Sequence, residues 1–464
     1  MQAKIIQLLF ILTFCMSCSS CATKNDDDEE EPTPTPPAEQ LYTDEQLLDM
    51  VQKDALKYFW DYAETNSKLA RERYHVNEAS LDAHLVTTGG SGFGLMTILA
   101  GIERGFAPRA EAVNRLQTAL NFLESADRFH GAWPHWMDGT TGHVVPFGTV
   151  DNGGDLVETA FLCQGLICVR EYFNNGTEAE QALAQQADEL WKGVEWDWYT
   201  KGGEDVLYWH WSPQYEWQLN FKLEGYNECL ITYVMAAASP THPVGAAAYN
   251  QGWARSGAIT HPGVKYNLPV IFNYNGATGN VGPMFWSHYS YMGLDPRGLT
   301  DTYANYWDVV QNHSKIMHAF CVANPNQFNG YADNCWGLTA SYSRNSDGST
   351  GYSAHQPNND RGVISPTAAL SSFPYTPAES MKLLRFCYED TAWKDRLIGI
   401  AGPYDAFAPH YDWVTPRYLA IDQGTIAPMI ENYRSGMLWD LFMQAPEVKD
   451  GLLTLGFHSS QHAF

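Results

Sequence analysis

Apolar residues recur along this chain mainly at helical spacing. From residue 43, Leu47, Val51, Ala55, Phe59 and Tyr62 return every three or four positions. TDEQ just before them reads as a capping box, with Thr43 as N-cap and Gln46 three residues on. Similar segments are predicted near 92–103, 109–126, 155–174, 178–196, 224–238, 301–322, 376–389 and 426–445. Weaker ones fall near 246–256 and 366–372. Loops rich in Gly, Pro and Asn separate them, and 257–300 and 324–362 are long. VLYWHW (206–211) reads as a strand or an extended edge. Neither strand–helix alternation nor a short repeat is present. The pattern predicts an all-α fold with minor β-structure. It fits an all-α toroid, a helical barrel of two concentric rings with long loops lining a cleft at one end. An irregular helical bundle is the alternative.

The first 42 residues break this pattern. Residues 1–24 read as a signal segment, with Lys4 before the apolar run IIQLLFILTF (5–14), too short to span a bilayer. The following CMSCSSC resembles a bacterial lipoprotein signal, with Cys18 the candidate for lipidation and Cys21 the second. Residues 25–42 hold an acidic run and a Pro/Thr tract that cannot bury a core, and read as a tether. The domain is expected over 43–464. The expected location is the bacterial outer membrane, periplasmic or surface face, held through the N-terminal lipid alone.

Composition adds two constraints. The formal net charge is -25, which repels phosphate backbones and argues against nucleic acid. Aromatic residues make up 14%, including 16 Trp and 26 Tyr, and many fall in predicted loops. Trp136 in WPHW, Trp209 in YWHW, Trp217 and Trp286 in FWSHYSY suit stacking against sugar C–H faces; His135 and Arg71 suit hydrogen bonds to hydroxyls. The six cysteines past the signal show no regular spacing and read as buried thiols.

The candidate chemistry lies in three acid-bearing stretches. TVDNGGDLVETAFLCQGL (149–166) brings Asp151, Asp155 and Glu158 to the mouth of an apolar helix. Asp155 and Glu158 there suit helix capping. A slightly earlier helix start would put all three on one face, where mutual repulsion raises at least one pKa. KLEGYNECLITYVM (222–235) sets Glu224 and Glu228 at a helix start, and a carboxyl against an apolar wall resists ionisation, as a general acid requires. YLAIDQGTIAPMIENYRSG (418–436) places Asp422 in a turn before a helix. No HExxH, Walker loop, GxSxG or GxGxxG after a strand occurs.

ARER (70–73), TTGGSGFG (87–94), GAWPHW (131–136), DNGGDLVETAFLCQGL (151–166), WSPQYEW (211–217), EGYNE (224–228), AAASPTHP (236–243) and AIDQGTIAPMIENYRSG (420–436) together resemble the glycoamylase-like lipoproteins of Bacteroidetes. The endo-β-1,2-glucanases are relatives of that family. The resemblance spans roughly 43–455. It implies an (α/α)6 toroid and a glycoside hydrolase that inverts the anomeric carbon without metal or cofactor. Its acids fall on Asp151, Asp155, Glu158, Glu228 and Asp422. The implied partner is a β-glucan oligo- or polysaccharide, β-1,2-linked and cut internally by a monomer. Alternatives are exo-hydrolysis of an α-glucan, as the "glucoamylase" label implies, and a carbohydrate-binding lipoprotein without catalysis. A lyase would want a basic cleft, which the acidic charge disfavours.

Overall fold

The computed structural model describes residues 41–464. The signal segment 1–24 and nearly all of the tether 25–42 therefore lie outside the described residues. Thirteen α-helices are present among them. They are α1 (Asp44–Trp60), α2 (Thr88–Glu103), α3 (Arg109–Ser125), α4 (Leu156–Phe173), α5 (Glu178–Lys192) and α6 (Leu230–Ala238). Then follow α7 (Tyr306–Ala323), α8 (Pro366–Leu370), α9 (Pro377–Glu389), α10 (Lys394–Leu397), α11 (Ala420–Arg434), α12 (Met437–Gln444) and α13 (Pro446–Leu455). Strands are short and pair mostly in twos; the largest sheet has three.

Helix composition sorts the helices by depth. α2, α4 and α6 are buried over almost their whole length, the state expected of helices apolar on most sides, and α11 is as deeply buried although it carries Asp422, Gln423, Glu431 and Asn432. α1 and α5 are amphipathic, and each begins with a complete capping box, at Thr43 with Gln46 and at Thr177 with Glu180. α2 packs between α4 and α11, α1 covers α2 and α11, α5 covers α4, and α13 covers α6. At the far end of α2, the Arg104 guanidinium grips the fully buried Glu431 of α11 through two bonds of 2.6 and 2.7 Å.

The glycine run TTGGSGFG looks unsuited to a helix, and the periodicity predicts a start near residue 92. The helix begins at Thr88 instead. A Cβ on Gly92 would come within 2.5 Å of Leu162 Cα, and one on Gly165 within 2.4 Å of the Gly92 carbonyl oxygen. α2 and α4 thus touch backbone to backbone, and this contact offsets the roughly 1 kcal/mol per residue by which glycine weakens a helix.

Other expectations shift for local reasons. The segment expected over 224–238 is helical only from Leu230, so Glu224 and Glu228 precede the helix. The segment 426–445 is two helices, parted at Gly436, whose φ of +76° ends the first. Asp422 lies inside the first turn of α11, not in a turn before it. Pro428 sits in the helix interior, where its missing N–H frees the Gly424 carbonyl to accept from Thr97 Oγ1 at 3.4 Å. The long loops carry two hairpins, Thr260–Lys265 with Leu268–Phe272 and Ala340–Arg344 with Thr350–Ala354. VLYWHW contributes only a two-residue strand, His210–Trp211, against Gly154–Asp155. All six cysteines among the described residues are free and buried.

The α2–α4 contact is testable. Gly165→Ala should lower stability by about 1–3 kcal/mol, since a clash with backbone cannot be relieved by a rotamer change. Thermal unfolding reads this directly. An unchanged or higher melting temperature would mean that the two helices do not touch through their backbones.

Candidate active site

The N-terminal ends of α2, α4, α6 and α11 meet around a cavity of about 360 Å³, within the size range of ligand pockets. Three carboxylic acids line it, Glu72, Glu158 and Glu228. The aromatic walls come from Trp136, Phe147, Trp209, Phe285, Tyr289, Tyr342 and Tyr352, with His135 and Arg73 beside them.

Asp155 organises one side. As N-cap of α4 its Oδ1 accepts from the N–H groups of Val157 and Glu158 at 3.0 and 2.9 Å. Its Oδ2 accepts from His135 Nδ1 and Trp209 Nε1, both at 2.9 Å. The carboxylate is 0% exposed. It therefore fixes two cavity walls but does not itself line the cavity. His135 in turn stacks on Phe147, centroids 4.2 Å apart, and Phe147 meets Trp136 edge-on.

Glu158 reaches the cavity one turn further on. Its Oε2 accepts from Gly89 N–H at 2.7 Å, at the N-terminus of α2. A Cβ at residue 89 would fall 2.5 Å from that oxygen, so only glycine admits the carboxyl there. Burial pushes Glu158 up to about 7, helped by Asp155 and opposed by His135 and the Gly89 N–H. Burial alone would lower His135, but Glu158, Asp155 and Asp151 outweigh it and raise the imidazole to about 9. Asp151 sits outside the helix in a bridge to Gly148 and does not line the cavity; the three acids share no helix face. Burial and Asp155 raise it to about 6.

Glu228 occupies the turn before α6. Its backbone carbonyl accepts from Ser290 Oγ, which in turn accepts from Ile231 N–H at 3.1 Å. Burial pushes its carboxyl up to about 7, with Glu158 and Asp155 adding to the rise. The acid is therefore substantially protonated near neutrality.

A fourth acid group lies beneath the wall formed by Leu419 and Ile421. Asp422 Oδ1 accepts from the Tyr289 hydroxyl at 3.2 Å, and Asp405 Oδ2 from Tyr342 N–H at 2.7 Å. The remaining oxygens, Asp422 Oδ2 and Asp405 Oδ1, are buried without any other partner. A proton shared between the two carboxyls satisfies both. Burial and the Asp405 carboxyl hold Asp422 well above the usual carboxylate range, while burial raises Asp405 to about 6.

The other expected binding residues divide. Trp136, His135 and Trp209 line the cavity. Arg71 does not, because its guanidinium donates to the carbonyls of Ala79 and Leu81, both at 2.9 Å, and ties down that loop. Trp286 is buried against Tyr274, and its neighbours Phe285 and Tyr289 take the cavity positions. Trp217 lines a separate surface groove. Sequence reasoning missed Glu72, Asp405, Phe147, Tyr342 and Tyr352. Glu72 stands between Arg71 and Arg73 in ARER, where an acid reads as an ion-pair partner. Asp405 had no acid spacing to mark it.

A helical domain with buried acids among flat aromatic walls is the arrangement of a glycoside hydrolase. Comparison with known proteins agrees. Residues 220–446 match the Glycoamylase family. A curated relative from Parabacteroides distasonis, an exo β-1,2-glucooligosaccharide sophorohydrolase acting at the non-reducing end, is 44% identical over 427 residues. That match takes in 88% of this chain, which spans only 58% of the relative's length. The structure of an endo-β-1,2-glucanase from Chitinophaga pinensis, in complex with sophorotriose and glucose, is 53% identical with a TM-score of 0.87. It covers 90% of this chain and 99% of its own. An endo-β-1,2-glucanase from Talaromyces funiculosus, solved with sophorose, shares the fold at 14% identity and a TM-score of 0.61, over 88% of this chain and 92% of its own. The chain belongs to the glycoamylase-like family of glycoside hydrolases.

The raised pKa values have a signed consequence. Asp151, Glu158, Glu228 and Asp405 keep protons in the folded chain at pH values where the unfolded chain has lost them. Their contribution is fully present below about pH 4 and fades as pH rises toward about 7. His135 contributes below about pH 6.5 and loses that stability as pH rises through about 9. Thermal unfolding against pH should show Glu228→Gln flattening the lower window and His135→Gln the upper. Parallel curves for wild type and Glu228→Gln between pH 4.5 and 7 would contradict the protonated acid.

Proposed function

We propose that this protein is an endo-acting glycoside hydrolase of β-1,2-glucan that inverts the anomeric centre. The observation that carries the reading is Glu228, an acid on the wall of an aromatic cavity with its pKa raised to about 7. Glu228 protonates the glycosidic oxygen as its bond to the anomeric carbon breaks. Water attacks the same carbon from the opposite face, and its proton passes through the hydroxyl of cavity-lining Tyr289, which donates to Asp422, to the Asp405–Asp422 pair, which holds one proton and can accept a second. Glu158 is the alternative acceptor, since it lines the same cavity. Inversion requires room for that water between the acid and the base. His135, Trp136 and Trp209, held in part by Asp155, present flat faces to the sugar rings.

The β-1,2 linkage is supported by the activities of both close relatives, and internal cutting by the one this chain covers almost completely. The burial of α2, α4, α6, α8 and α11 supports reading the domain as the (α/α)6 toroid, with these helices in five of the six inner positions. We also propose anchoring to the outer membrane by a lipid on Cys18, or on Cys21, through the 25–42 tether. Replacing both cysteines should free the protein from membrane fractions with activity unchanged, and continued retention would refute the anchor.

Glu228→Gln keeps shape and hydrogen bonding but removes the transferable proton, so turnover should fall by at least ~10²-fold. Purified protein on a panel of glucans, with products separated by chromatography, supplies the assay. Short oligosaccharides of mixed length from linear β-1,2-glucan are expected. Sophorose alone would replace internal cutting with exo action, and glucose from starch would overturn the linkage. If Glu228→Gln retains more than about a third of wild-type turnover, another acid is the proton donor.

A further inference from the structure

Trp217, displaced from the cavity, opens onto a second concavity of about 620 Å³ together with Trp198, Glu195, Asp197, Lys201 and His242. We propose that this groove is an accessory binding site for a neutral glucan chain. The inference rests on the hydrolase reading above.

The groove has a built aromatic floor. Trp198 and Trp217 lie 6.4 Å apart between centroids, with their planes at 29°. Trp198 remains 39% exposed although it is pinned from behind. The His130 imidazole stacks on it at 3.6 Å and 12°, and Trp211 meets it edge-on at 5.6 Å. His130 is itself held by Glu195 Oε2 at 2.8 Å.

The backbone around the floor is unusual. His130, Lys201, Glu216 and Asn220 all adopt positive φ, at 49°, 55°, 45° and 46°. Side-chain-bearing residues take that conformation rarely, and it persists where surroundings over-determine it. Lys201 Nζ donates to Asn220 Oδ1 at 2.7 Å, which ties the two walls together. An exposed, rigidly held tryptophan contributes little to the core, so its support points to a ligand.

The rim selects the ligand class. Glu195, Asp197, Lys201 and His242 offer hydrogen-bond donors and acceptors of both signs around a flat apolar floor. A pyranose ring matches this, with its C–H face on indole and its hydroxyls on the rim. Two carboxylates disfavour a phosphate or an acidic glycan. The groove is also continuous in sequence with the cavity, because residues 196–222 supply Trp209 to one and Trp198 and Trp217 to the other. A long chain engaged at both sites is held by effective concentration, whereas a short oligosaccharide reaches only the cavity.

Trp198→Ala is the direct test, with Trp198→Ala/Trp217→Ala as the second variant because Trp217 is half-buried. Retention by linear β-1,2-glucan in affinity electrophoresis, read in a Glu228→Gln background so that the polymer survives, should weaken about tenfold. In the otherwise unaltered chain, cleavage of a short β-1,2-linked oligosaccharide should stay within about twofold of wild type. If the wild-type chain cleaves the oligosaccharide and polymer retention is unchanged in both variants, the groove proposal falls and the hydrolase reading stands. If the wild-type chain cleaves no glucan and is retained by none, both fall.

Discussion

The Asp155 carboxylate is the interaction on which the cavity depends. It is fully buried and accepts four hydrogen bonds, two from the first turn of α4 and one each from His135 and Trp209. One side chain thus sets where α4 begins, how the WPHW loop sits and how the YWHW segment docks. Charge-assisted bonds of this kind are about twice as strong as neutral ones, and the loss of one buried acceptor would strand several donors. The backbone contact of α2 with α4 complements it. Gly92 and Gly165 let the helices close until Gly89 N–H reaches the Glu158 carboxyl. An acid at the end of one helix is thereby held by the end of another.

Two physical effects compete at these acids, and burial wins. Helix N-termini favour carboxylates by about 0.3–1 kcal/mol, less than one pKa unit. Glu158 accepts a backbone N–H at such a terminus and is still raised to about 7; Glu228, just before α6, reaches the same value. Desolvation by Phe161, Phe285, Tyr289 and their neighbours therefore outweighs the dipoles. The Asp405–Asp422 pair extends the same logic, since two carboxyls in one dry space hold a proton between them. Acids that keep protons near neutrality thus line the cavity, and the pair that shares a proton lies behind its Leu419–Ile421 wall.

Much of this was legible in the chain. Amphipathic periodicity located α1, α3, α5, α7 and α9 closely, because each must face one side to the core. Apolar neighbours mark Glu158 and Glu228 one by one, but it is the family resemblance that implies a common site for them. Other features were hidden for identifiable reasons. Gly89, Gly90, Gly92 and Gly94 argue against a helix locally, and only the contacts with α4, α11 and Phe59 make them favourable. Asp405 becomes chemically meaningful only beside Asp422, 17 positions later in the chain. Arg71 and Trp286 looked like ligand-facing residues, yet their polar and aromatic surfaces are taken up by backbone carbonyls and by Tyr274.

By itself the sequence determined the helical class, the capping box at Thr43, and the acid-rich segments that border the cavity. Those properties depend on residues within a turn or two of one another, and such neighbours are adjacent in any fold. The tertiary structure decided which acids meet. It turned Asp155 inward as a scaffold, left Asp151 at the edge, paired Asp405 with Asp422 and sent Trp217 to a different groove from Trp209. Each of these depends on desolvation and on contacts between segments tens to hundreds of residues apart, and neither quantity exists until the chain has packed.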